Sequence, residues 1–102
     1  MKATTIYELG KVSTICRDVH SNLCGTYNRK DIEERLNDTL YSFMEIKEYE
    51  EELKYFESDF LLEIEEFLND AIHALHNNNI TDCKEWLEAL DLNIFDFVYG
   101  TL

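Results

Sequence analysis

The sequence predicts an all-α, single-domain bundle of about four helices, joined by short connections and spanning residues 1–102. Three observations predict it. Apolar residues recur at steps of three and four almost throughout, which is helical spacing. Proline is absent and glycine occurs only three times, too few breakers for a turn-rich sandwich or barrel. At 102 residues and 45% hydrophobic composition, the chain can fill one buried core but not two.

The first segment opens at Thr5-Ile6-Tyr7-Glu8. This fits a capping box, the hydroxyl reaching the third amide and the carboxylate reaching back, so the helix is expected to start there. Its stripe is Ile6, Leu9, Val12, Cys16, Val19 and Leu23. Gly25 follows as the expected left-handed stop. Asn28, with Asp31 three residues on, is the expected N-cap of segment two. That segment carries Ile32, Leu36, Leu40, Phe43 and Ile46, then Tyr49, Leu53, Phe56 and Phe60. Its stripe weakens after Ile46, because Lys47 and Glu50 occupy inward positions. Ser58-Asp59 can cap a fresh helix, so the chain is expected to break near residue 58.

Segment three shows the widest apolar stripe: Phe60, Leu61, Ile64, Phe67, Leu68, Ala71, Ile72 and Leu75. Asn77-Asn78-Asn79 ends it, since asparagine tolerates the left-handed conformation. Thr81 or Asp82 is the expected cap of segment four, with Glu85 at box spacing from Asp82. Its stripe is Cys83, Trp86, Leu87, Leu90, Ile94, Phe97 and Val98, with Asp91 to Asn93 as an expected interruption. An alternating pattern runs from Leu92 to Tyr99, but a lone strand has nothing to pair with.

The formal net charge is −13, so nucleic acid and anionic membranes are poor direct partners. The acidity is unevenly placed. Residues 1–36 hold six basic and five acidic residues, and residues 37–102 hold three basic and seventeen acidic ones. No apolar run approaches the ~20 residues of a membrane span. The first residues lack the apolar core of a signal peptide, so a cytoplasmic location is expected.

The acids form rows at helical steps: Glu45, Glu48 and Glu52 in segment two, and Glu63, Glu66 and Asp70 in segment three. Such neighbours sit ~5–6 Å apart at Cβ and repel by ~0.2–0.5 kcal/mol per pair. A solvated polar face is the plain reading of such rows. Rows this dense, unrelieved by lysine, also imitate the spaced charges of a phosphate backbone. Tyr41, Tyr49, Tyr55 and Phe56 are embedded in them, and tyrosine suits a protein interface. The expected partner-binding residues are therefore Glu45, Glu48, Tyr49, Glu52, Tyr55, Asp59, Glu63, Glu66 and Asp70.

Catalytic and metal chemistry find little footing. There is no Gly-rich phosphate loop and no His-Glu-x-x-His. Carboxylates are too many for one acid/base pair to stand out. The protein is therefore expected to be non-enzymatic, with no cofactor. Cys16, His20 and Cys24 share a helix side, but their spacing is not that of structural zinc, so no metal is expected. His73 and His76 suit a helix C-terminus as cations. The odd count of three cysteines predicts reduced thiols.

In size, acidity and lack of a catalytic motif, the chain resembles the small acidic inhibitors encoded by bacteriophages and mobile elements, the anti-restriction and anti-CRISPR DNA mimics. The resemblance is compositional and covers residues 37–102. It implies a binding protein that blocks a basic, nucleic-acid-binding site on a partner protein such as a Cas nuclease, a restriction enzyme or a DNA-binding regulator. The near-neutral first helix departs from that pattern and confines any mimicry to one side. The alternative is a helical interaction module or homo-oligomer that uses exposed aromatics. A third reading is a protein that sequesters a small anionic ligand through Arg17, Arg29, Lys30 and Arg35.

Overall fold

The computed structural model describes residues 3–53 and 58–101. They form four α-helices: α1 Ala3–Leu23, α2 Arg29–Leu53, α3 Ser58–His76 and α4 Ile80–Thr101. α1 packs on α2 and α4, and α3 packs on α2 and α4, while the diagonal pairs α1/α3 and α2/α4 do not meet. This is an up-down-up-down four-helix bundle. Its 40 Å long axis matches helices of 19–25 residues at ~1.5 Å per residue.

The predicted stripes build the core. Leu9, Val12, Cys16, Val19 and Leu23 of α1 are buried, as are Ile32, Leu36 and Phe43 of α2. Leu61, Ile64, Leu68, Ala71 and Leu75 of α3 meet Cys83, Leu87, Leu90 and Ile94 of α4 in the same cluster. Phe60 stacks on Phe97 with ring centroids 3.9 Å apart, and Phe67 lies 5.4 Å from Trp86. α4 packs more extensively on α1 and α3 than α2 does on its two neighbours.

The helix ends both follow and depart from the expected caps. Asn28 caps α2, its Oδ1 accepting from the amides of Lys30 and Asp31 at 3.0 and 3.2 Å. α3 ends in a Schellman motif: Asn79 N–H donates to Ala74 O and Asn78 N–H to Leu75 O. Asn78 supplies the left-handed residue, with φ 61°. α1 begins before Thr5, which lies inside the helix and is buried. Thr5 therefore does not cap. Gly25 does not adopt a positive φ. Short-range bonds close α1 instead, from Cys24 N–H to Ser21 O and from Gly25 N–H to Asn22 O, as in a tightened last turn.

α4 is capped by Asn79 rather than by Thr81 or Asp82. Asp82 N–H donates to Asn79 Oδ1 at 3.1 Å, and Asn79 Nδ2 donates to Asp82 Oδ2 at 2.7 Å. Asp82 is thus the box partner of a cap one turn earlier. Nor does α4 break at Asp91 to Asn93. Those polar groups have partners on both neighbours: Asp91 accepts from Ser13 of α1, and Asn93 donates to Glu63 of α3. The Leu92–Tyr99 alternation is helical. No helix of the described residues is long and apolar enough to cross a membrane.

Candidate protein-binding faces

Of the two weak inward positions of α2, Lys47 is held by an ion pair, and the side chain of Glu50 lies outside the described residues. Lys47 Nζ lies 3.0 Å from Glu65 Oε1, and both side chains are largely buried. This pair fixes the register of α2 against α3. Glu45 and Glu48 then stand within ~3 Å of the height of Glu63 and Glu66 along the bundle axis, at ~1.5 Å per residue.

The two predicted rows therefore run at similar heights on adjacent helices, although Glu45 lines a hollow on the α1 side of α2. Glu45, Glu48, Glu66 and Asp70 are exposed. None of them belongs to an ion pair formed among the described residues. Glu63 differs, because its Oε1 accepts from Asn93 Nδ2 at 3.0 Å and so turns towards α4. Tyr41 stands exposed on α2, between Asp38 and Glu45 in sequence. Tyr49 is 44% exposed and, with Glu45 and Ile46, lines a hollow against Thr4, Thr5 and Glu8, on the α1 side of α2. Tyr55 and Phe56 lie outside the described residues, as do the side chains of Glu52 and Asp59.

The cations are arranged in the opposite sense. Lys11 pairs with Glu8, Arg17 with Asp91, Arg29 with Glu33, Arg35 with Asp18 and Lys47 with Glu65. Arg29 also ties the two turns at one end of the bundle together, donating to Asn78 Oδ1 and to His76 O. Arg17, Arg29 and Arg35 thus sit at three different seams and do not converge on one anion site. A groove of about 330 Å³ runs between α1 and α2, with Val12, Ile15 and Ile46 beside Lys11, Arg35 and Asp38. It offers mixed charge rather than a cationic pocket.

The charge of each helix follows from its sequence. α1 has two basic and two acidic residues, α2 four and nine, α3 none and five, and α4 one and five. The neutral helix α1 lies diagonally across from α3, the helix without a cation. The excess negative charge therefore falls on α2, α3 and α4, away from α1.

The thiols lie elsewhere. Cys16 and Cys83 are buried and Cys24 is exposed. Burial, with Asp91 and Cys83 nearby, pushes the Cys16 thiol up to about 12, and burial pushes Cys83 up to about 11. Cys24 Sγ is 3.9 Å from His20 Nδ1. No group of three or more metal-ligating side chains gathers among the described residues.

The sequence reading missed a second surface. Leu92, Phe95 and Tyr99 on α4 are exposed. Their steps of three and four were visible in the sequence, on the side opposite the Leu87-Leu90-Ile94 stripe. Comparison of the chain with protein families, curated proteins and solved structures finds no match.

Proposed function

We propose that the protein is a non-enzymatic acidic inhibitor whose α2/α3 side occupies a basic, nucleic-acid-binding site on a partner protein. Its form would be that of the anti-CRISPR and anti-restriction DNA mimics. One observation carries this reading. Five cations of the described residues are engaged by acids, three of them across helix seams, whereas Glu45, Glu48, Glu66 and Asp70 stand exposed on neighbouring helices outside any such pair. A face that needed only to be wet could interleave both signs at no cost. Rows of one sign focus a field that draws in a basic partner and compete with phosphates for it.

The test is capture from source-cell lysate on the immobilised protein, eluted either by a salt gradient or by duplex DNA. A nucleic-acid-binding partner that DNA displaces, and that the Glu45→Lys/Glu48→Lys/Glu66→Lys variant no longer retains, supports the reading. The Asp18→Lys/Asp31→Lys variant, at two exposed acids away from α3 and from the outer face of α4, controls for bulk charge and should keep that partner. A partner that persists at ~0.5 M salt, where the Debye length is only a few ångströms, and that ignores DNA overturns it.

A further inference from the structure

The outer side of α4 joins two features that solvation alone does not require. Leu92, Phe95 and Tyr99 are 54%, 52% and 66% exposed, and the rings of Phe95 and Tyr99 lie 4.3 Å apart. Leu92 and Phe95 have no polar handle to justify their place in water. Around them on the same side stand Glu85, Glu88 and Asp96, all exposed, and none belongs to an ion pair among the described residues. The result is an apolar strip along a helix, edged with negative charge.

The edge decides what can cover the strip. A second copy of the chain fits poorly. Antiparallel α4 helices paired about Leu92 would set Glu88 of one copy against Asp96 of the other, and parallel helices would set each acid against itself. Like charges brought together at an interface oppose association. The complement is a helix with apolar residues at i, i+3 and i+7 and Lys or Arg on its flanks, seated as an amphipathic helix seats on an apolar face.

We propose that the outer face of α4 docks a basic amphipathic helix of a partner protein, with Leu92, Phe95 and Tyr99 as its seat and Glu85, Glu88 and Asp96 as its rim. This face is diagonal to α2, so the proposal does not rest on nucleic-acid mimicry. The two surfaces would let one chain hold a partner by shape while its acidic side covers a basic site.

The experiment uses the full chain and three synthetic 18-residue peptides. One is a Leu/Lys amphipathic helix, the second is its scramble of identical composition, and the third is a Leu/Glu helix of the same pattern. Binding is read by fluorescence anisotropy at 150 mM salt, and the site by amide chemical-shift changes in the wild-type protein. The Leu/Lys helix should bind at least tenfold tighter than either of the others and shift amides 88–99 in preference to 41–49. Leu92→Ser/Phe95→Ser should weaken it at least tenfold, and Glu45→Lys/Glu48→Lys less than threefold. Equal binding of the scramble, shifts centred on α2, or a dimer in sedimentation velocity that the serine variant dissolves would each overturn the proposal. The shift map needs no variant, so a serine variant that lost its helicity would not weaken the test.

Discussion

α2 and α4 lie across the diagonal of the bundle and present opposite solutions to the same problem. Each must bury one stripe and wet the other side. α2 buries Ile32, Leu36 and Phe43 and covers its outer side with Glu34, Asp38, Glu45 and Glu48, with Tyr41 among them. Two of its cations reach the seams, where Arg35 and Lys47 meet Asp18 and Glu65, while Arg29 pairs with Glu33 of its own helix. α4 buries Cys83, Leu87, Leu90 and Ile94, yet keeps a second apolar strip in water. Solubility explains neither choice, since mixed charge would serve both faces. The difference separates a face suited to long-range, salt-sensitive attraction from one suited to contact and shape.

The comparison can be broken first in the core. Phe43 is fully buried and is the largest side chain that α2 contributes to the cluster. Phe43→Ala should cost about 3–5 kcal/mol, and Leu90→Ala on α4 about 2–5 kcal/mol, both read by urea unfolding. Because α2 packs less extensively than α4, the two losses should differ in kind. Hydrogen exchange of Phe43→Ala should deprotect α2 while α3 and α4 keep their slow amides, as a weaker cooperative unit opens alone. Uniform deprotection would show that all four helices open as one unit and that α2 is no looser than its diagonal partner.

The α1/α4 seam gives the next effect. Asp91 accepts from the buried Ser13 hydroxyl and lies 3.4 Å from Arg17. Asp91→Ala leaves that hydroxyl without its acceptor, which should cost about 1–3 kcal/mol. Asp91→Asn, which retains an acceptor oxygen, should recover part of the loss. Chemical denaturation of the two variants decides this, and equal stability to the wild type would mean that water replaces the carboxylate.

This seam also marks where sequence reading stops. The bundle, its stripes and the Asn28 and Asn78 turns were legible, because each depends on residues within one turn of one another, whereas the expected break near residue 58 falls outside the described residues. The Asp91 bridge was not, because Ser13 and Asp91 are 78 positions apart and meet only once α1 is set against α4. For the same reason Lys47 read as a flaw in the stripe, when its partner Glu65 waits on α3. The acidic rows were legible one helix at a time. Their relative heights needed the register that the Lys47–Glu65 pair fixes. The exposed strip was overlooked because Leu92, Phe95 and Tyr99 sit among the inward residues of the same helix, and apolar spacing alone does not say which of two stripes is buried.

Alkaline pH sharpens the contrast from the α4 side. Cys16 and Cys83 have folded values near 12 and 11 against an ordinary 9.0. The native thiols keep their protons where unfolded thiols lose theirs, so the unfolded state binds fewer protons above about pH 9. Stability should therefore fall as pH rises from about 9 to about 11. By pH 10 the loss relative to pH 8 should be roughly 2–3 kcal/mol for the two thiols together, at ~1.4 kcal/mol per pKa unit. Urea melts at pH 8, 9 and 10 would show it, and the Cys16→Ala/Cys83→Ala chain should follow a flatter pH profile. An unchanged slope would assign the alkaline loss to other groups.

The smallest effect on stability separates the two outer faces most sharply. Exposed ion contacts contribute little, so Glu45→Lys/Glu48→Lys should change stability by no more than ~1 kcal/mol. The sign should be stabilising at low ionic strength, because the reversal cuts the acidic excess by four charges and gives position 48 opposite-charge neighbours in Glu51 and Glu52, although positions 45 and 48 still carry like charges. Raising sodium chloride to ~0.5 M should erase the difference by screening exposed charges. Leu92→Ser on α4 should also shift stability by less than ~1 kcal/mol, since the side chain is already in water, but no salt concentration should alter that shift. Thermal melts of the three proteins at low and high salt measure both. A salt-independent gain in the α2 variant would mean that its outer side is held by something other than charge repulsion. A salt-dependent shift in the α4 variant would mean that the strip is shaped by its acidic rim even in the free protein.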